Sequence, residues 1–99
     1  MRAFLFAAAA LAAAPVFAQD YQARNLAAPC AICHGTEGRS ATKGSPLIAL
    51  AGLPHDHIAT QMRAFRDGRR PATVMHQIAK GYTDPQIDAL AAWFAAQQR

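Results

Sequence analysis

Beyond position 18 the sequence is poor in the side chains that usually make a small core. Only five aromatics follow, Tyr21, Phe65, Tyr82, Trp93 and Phe94, and alanine fills much of the remainder. A domain of about 80 residues buries a small fraction of its surface, so a core this thin needs a disulfide framework, a metal or a large cofactor. There are just two cysteines, Cys30 and Cys33, too few for a disulfide-dense scaffold. Acidic residues are also few, six against ten Lys and Arg, for a net charge of +4. That excess is too mild and scattered to argue for nucleic acid, and instead favours solubility and acidic partners. No Ser-His-Asp constellation, paired-carboxylate site, phosphate loop, internal repeat or interdomain linker can be traced.

The one long apolar run lies at the start. Arg2 supplies a short positive end, and Ala3 to Ala14 are apolar. Pro15 breaks the run, and Val16-Phe17-Ala18 places small residues where a signal peptidase needs them. Residues 1–18 read as a secretory signal cut after Ala18, leaving 19–99 as one domain. The run is too short for a comfortable membrane span, which takes about 20 residues, and no second run is long enough. Export implies the periplasm, where paired cysteines become disulfides or are consumed by chemistry.

What is present downstream is helical. Asp20 to Ala28 is expected to form a short helix, and Cys30 to His34 one further turn. Gly35 to Pro46 reads as a loop punctuated by Gly35, Gly38, Gly44, Ser45 and Pro46. Leu47 to Leu53 is apolar but has no strand partner, so irregular structure is expected. Pro54 suits a first helical turn. Ile58, Met62 and Phe65 then form one stripe at i, i+4 and i+7, ended by Gly68. A short turn, Val74 to Lys80, stops at Gly81. Thr83-Asp84-Pro85-Gln86 matches a capping box with proline in the first turn. Ile87, Leu90, Ala91 and Phe94 make the apolar face of the last helix. The chain is expected to be all-α, with four or five short helices and long ordered loops.

The chemistry concentrates in Cys30-Ala31-Ile32-Cys33-His34. C-x-x-C-H is a signature of covalent haem attachment. Two thiols one helical turn apart can reach the two vinyl groups of one porphyrin edge, and the histidine after the second thiol is carried beneath the macrocycle to ligate iron. Its other ring nitrogen needs a partner to fix the ring. A thioredoxin-type disulfide would require a βαβ setting, and this chain shows none. A structural zinc site would need four ligands, and the spacing of His55, His57 and His76 resembles no zinc ribbon.

A second axial ligand is expected from Met75, which lies 41 residues after His34 and follows a proline-containing loop. A thioether there raises the reduction potential. His76 stays open as the alternative, since imidazole is also a common haem ligand. Met62 reads as core packing within its stripe, and His55 and His57 as solvated residues of a helix start. Arg63, Arg66 and Arg70, with Arg69 beside them, read either as a solvated face or as a docking patch or propionate partner.

From Tyr21 to Gln97 the chain resembles the class I c-type cytochromes. The resemblance rests on Cys30 to His34 with Gly35, and on the stretch from Arg70-Pro71-Ala72-Thr73-Val74-Met75-His76 to Gln77-Ile78-Ala79-Lys80-Gly81-Tyr82-Thr83. Leu50 to Leu53 and Gln61 to Phe65 are similar as well. Within that class it is similar to the cytochrome subunit of flavocytochrome c sulfide dehydrogenase and to single domains of diheme periplasmic cytochromes. The resemblance implies a small helical fold around one haem c, with Met75 as axial ligand to the iron and Trp93 or Phe94 packing on the first helix. It implies redox partner proteins, including a flavin-containing dehydrogenase subunit. Two positions depart from the family pattern. Ile48 stands where members have the proline whose carbonyl holds the ligand histidine, so the partner of His34 stays open. The first helix also lacks a glycine and phenylalanine common in the family, implying a looser contact with the last helix.

A haem with both axial positions filled has no open site for substrate. The expected role is therefore one-electron transfer without catalysis, as a periplasmic shuttle or as the haem subunit of a dehydrogenase.

Overall fold

The structure is a computed structural model that describes residue 3, residues 16–39 and residues 47–99. The expected leader, 1–18, lies outside the described residues apart from 3 and 16–18. Among the described residues five helices follow one another: α1 (Val16–Ala27), α2 (Ala31–His34), α3 (His55–Arg66), α4 (Met75–Ala79) and α5 (Asp84–Ala95). Two 3-10 turns, Ala28–Cys30 and Thr36–Gly38, flank α2. Among the described residues there is no strand, and the architecture is all-α.

Helix α1 (Val16–Ala27) reaches upstream of Asp20, where its start is expected from the sequence. No glycine or proline interrupts 16–27, so nothing in the sequence stops the helix from extending upstream of Asp20. Pro54 sits one position outside α3, as an extended N-cap with φ −57° and ψ 140°, and not inside its first turn. Gly68, at φ 77°, supplies the left-handed residue after the C-cap Asp67. The Gly68 and Arg69 N–H groups donate back to Phe65 and Ala64, closing the helix end.

Helix α5 starts on the expected capping box. The Gln86 N–H donates to Thr83 Oγ1 at 3.3 Å, and the Thr83 N–H donates to Gln86 Oε1 at 2.9 Å. Its apolar face is the centre of the molecule: Ile87, Leu90, Ala91 and Phe94 are all at most 1 % exposed. Ile58, Ala59 and Met62 of α3, Ala27 of α1 and Ala79 of α4 complete the core.

Helices α1 and α3 both pack on α5. The small, buried Ala27 is where α1 joins the shared core. The Tyr82 hydroxyl also donates to the Leu26 carbonyl at 2.9 Å, tying the end of α1 to the entry of α5.

The stretch 47–53 is irregular, as expected, yet its backbone is well bonded. The Leu50 and Ala51 N–H groups both donate to the Gly38 carbonyl, at 2.7 and 3.1 Å, and the Gly52 N–H donates to Phe94 O at 2.9 Å. Gly38 is needed here. Its φ is +77°, and a Cβ would lie 2.8 Å from the Phe94 ring and 2.9 Å from Leu50.

Candidate functional site

Between α2, the 47–53 stretch, α3 and α4 lies a cleft of about 550 Å³, well within the range of small-molecule and cofactor sites. Its lining is mostly apolar, including Leu50, Ile58, Met62, Phe65, Leu90 and Phe94. Four residues singled out in the sequence open onto it together: Cys30, Cys33, His34 and Met75. The first three arrive on the 3-10 turn and α2, and Met75 arrives on α4, which packs against α3. Val74 and Ile78 flank it at the same cleft, whereas His76 is not among the lining residues. The Nδ1 atom of His76 is buried and finds no partner among the described residues.

His34 is oriented from behind. Its Nδ1 lies 2.7 Å from the carbonyl oxygen of Ile48. A carbonyl only accepts, so Nδ1 carries the proton and Nε2 keeps its lone pair for a metal. Ile48 thus does with its backbone what the sequence left open. Ile48 is itself held by the bonds from Leu50, Ala51 and Gly52 to Gly38 and Phe94. The family resemblance pointed to position 48, but local pattern alone does not give this partner, because it lies 14 residues further along the chain in an irregular stretch.

Cys30 and Cys33 are free thiols, Cys30 half-buried and Cys33 exposed. Burial pushes the Cys30 thiol up, against its own backbone N–H and the Tyr82 hydroxyl, and the nearby Cys33 adds slightly to the rise. Burial likewise raises the Tyr82 phenol. Both groups are therefore neutral near neutral pH. Among the described residues no three His, Cys, Asp or Glu side chains cluster as a metal site, which leaves the zinc reading without a ligand set there.

Met62 is 6 % exposed and belongs to the core with Ile58, as expected of its stripe, and it also forms part of the cleft wall. His55 and His57 sit at the start of α3. His55 pairs with Asp56 at 3.0 Å and more distantly with Asp88 at 3.8 Å.

The basic cluster is largely neutralised. Arg63 reaches Asp84 at 3.2 Å and Asp88 at 2.9 Å, and Arg66 reaches Asp84 at 2.8 Å, so α3 and α5 are clasped by charge. The Arg63 guanidinium is shifted up chiefly by its hydrogen bond to Asp88, and the Asp84 carboxyl is held below the usual carboxylate range chiefly by Arg66 and then by Arg63. Arg69 pairs with Asp67 at 3.1 Å.

A helical chain that brings a C-x-x-C-H turn and a methionine to one apolar cleft has the makings of a covalent haem protein. Comparison with known proteins agrees. Cytochrome c-554(548) of Halomonas halodenitrificans is 32 % identical over 72 residues, covering 70 % of this chain and 84 % of that protein. The cytochrome subunit of sulfide dehydrogenase of Chlorobaculum tepidum is 39 % identical over 69 residues, covering 70 % of this chain and 60 % of that subunit. The thiosulfate dehydrogenase electron acceptor of Thiomonas intermedia is 40 % identical over 72 residues, covering 70 % of this chain but 31 % of that protein. The chain thus spans three-fifths or less of the latter two relatives. No family profile matches it. The chain belongs to the class I c-type cytochromes. It accordingly binds haem c, with its iron, covalently.

Proposed function

We propose that the protein is a periplasmic monohaem electron carrier. In this reading Cys30 and Cys33 attach the haem as thioethers, and His34 and Met75 ligate its iron. The observation that carries the reading is that these four side chains line one cleft while His76 does not. The residues suit the group. The cleft is apolar, its thiols are free, and His34 is held in the tautomer that leaves Nε2 for the metal. Bound there, the haem supplies a one-electron Fe(III)/Fe(II) couple. The protein fixes the imidazole through Ile48, offers a thioether from Met75, and excludes water with Leu50, Ile58, Phe65 and Phe94. Residues 1–18 act as a signal cleaved after Ala18. Among the described residues no helix is long and apolar enough to cross a membrane. With His34 and Met75 both holding the iron, the protein would perform no substrate chemistry of its own.

A second reading is a dedicated cytochrome subunit accepting electrons from a flavin subunit of a sulfide dehydrogenase. It is favoured by the 39 % identity to the Chlorobaculum subunit. A set of exposed apolar side chains around the cleft also supports it, including Ile32 at 86 %, Ile48 at 57 % and Val74 at 55 % exposure. The experiment is to recover the tagged protein gently from its host and record its mass and absorption spectrum. Haem bands that stay with the denatured polypeptide, on a monomer beginning at Gln19, support the carrier. A flavin spectrum on a larger particle supports the subunit. Absence of haem bands refutes both.

A further inference from the structure

The cleft must accommodate not only an apolar macrocycle but also the two propionate carboxylates that haem carries. A carboxylate in a mostly apolar cleft is costly unless a cation or hydrogen-bond donors meet it. Among the described residues, Arg70 is the one cleft-lining side chain with a fixed charge. The other titratable groups there are Cys30, Cys33, His34 and His57.

Arg70 also differs from its three neighbours in the basic cluster. Arg63, Arg66 and Arg69 are each paired with an aspartate. Arg70 has no carboxylate partner among the described residues. Its Nη1 donates to the neutral Oε1 of Gln61, and its guanidinium carbon stands 4.7 Å over the Phe65 ring. Both Gln61 and Phe65 line the same cleft. The contacts orient the guanidinium without neutralising it, and they leave donors free for a bidentate carboxylate. Arg70 is only partly exposed, so its charge is less screened than that of a solvated arginine.

We infer that Arg70, steadied by Gln61 and Phe65, is the residue that binds a haem propionate; the inference rests on the haem reading above. The guanidinium holds the propionate ionised and adds positive charge near the iron, which favours the ferrous state.

The test is a potentiometric titration of the holoprotein as wild type and as the variants Arg70→Gln, Arg70→Lys and Arg69→Gln. Arg70→Gln is expected to retain covalent haem and to have a lower reduction potential. The drop is expected to be roughly threefold or more that of Arg69→Gln, whose charge is exposed and already paired. Arg70→Lys restores most of the potential. A propionate released from Arg70 binds its proton more weakly beside ferric iron than beside ferrous iron. Its potential therefore falls with rising pH through the mildly acidic range, where the wild type is flatter. His34 and His57 face the cleft in every variant, so a slope that appears only in Arg70→Gln belongs to the propionate. A haem-loaded Arg70→Gln with the potential and slope of Arg69→Gln overturns the inference while leaving the haem reading standing. Wild-type protein without covalent haem instead sinks the reading on which it rests. If Arg70→Gln does not accumulate, resonance Raman spectra of the wild type decide through the propionate bending band. A hydrogen-bonded position supports the inference, and the position of a free, solvated carboxylate overturns it.

Discussion

His34 and Ile48, 14 residues apart in the chain, are joined by a hydrogen bond of 2.7 Å from the imidazole Nδ1 to the main-chain carbonyl. The Ile48 side chain contributes nothing to that bond, and 57 % of the residue is exposed. A residue that keeps the carbonyl and restricts φ should therefore preserve the contact and narrow the unfolded ensemble. We predict that Ile48→Pro retains the haem and raises stability by about 0.4–1 kcal/mol. Denaturant titration of the holoprotein checks this. A fall in stability of similar size would mean that the backbone at 48 is not compatible with the proline ring, and that the isoleucine is retained for its conformational freedom.

Met75 and Met62 both border the cleft but belong to different environments. Met62 is 6 % exposed and embedded with Ile58 in the core, whereas Met75 is partly exposed on the short helix α4. Met62→Ala is predicted to cost about 2–5 kcal/mol through lost burial and a cavity, with the haem spectrum unchanged. Met75→Ala is predicted to do the reverse. Stability falls less, the reduction potential drops, and the reduced protein acquires carbon monoxide binding because an axial position opens. Carbon monoxide binding by the Met62 variant alone would reverse the assignment.

How far these residues are legible in the sequence depends on how local their causes are. The capping box of Thr83 and Gln86 and the stripe Ile87, Leu90, Ala91 and Phe94 span a few residues, and helix geometry alone places them. The cysteines and His34 form one contiguous turn and are equally plain. Ile48 as the partner of His34 is suggested only by the family resemblance and not by local pattern, because its stretch is placed by bonds from Leu50, Ala51 and Gly52 to Gly38 and Phe94 in distant parts of the chain. The pairing of Arg63 and Arg66 with α5 was likewise hidden. Their aspartates lie on another helix, and only the packing of α3 on α5 brings the charges together. The start of α1 was missed because 16–19 carry no local signal that distinguishes the end of a leader from the beginning of a helix.

Gly38 is a position where a single methyl group should be severe. Its φ of +77° is strained for an L-residue, and the added Cβ would press on the Phe94 ring at 2.8 Å. Phe94 is 1 % exposed and cannot yield toward solvent. Gly38→Ala is predicted to destabilise by about 1–3 kcal/mol from each cause, backbone strain and overpacking. Because the Gly38 carbonyl accepts from Leu50 and Ala51, the shift would also be felt at Ile48. Thermal unfolding with the haem absorbance as a second probe should show lower stability and a perturbed ligand field together. Wild-type stability in Gly38→Ala would mean that the 47–53 stretch adapts freely and does not fix His34.

Asp84 occupies the first turn of α5 and faces Arg66 and Arg63 of α3. Its carboxyl is held below the usual range, first by Arg66 and then by Arg63. The sign is that of a depressed folded-state pKa. The pair stabilises the fold above the ordinary carboxylate pKa, and that contribution is lost as the pH falls through the lowered pKa of Asp84. A negative charge at this helix N-terminus adds a favourable interaction with the helix dipole, titrating in the same sense. Asp84 is exposed, so the effect is modest and screened by salt. Asp84→Asn is therefore predicted to lower the melting temperature slightly at neutral pH and low ionic strength. The difference should shrink in high salt and vanish once acid protonates Asp84 in the wild type. A difference that persists in strong acid would show that the amide disturbs the helix start itself, and that the clasp of α3 to α5 is not electrostatic.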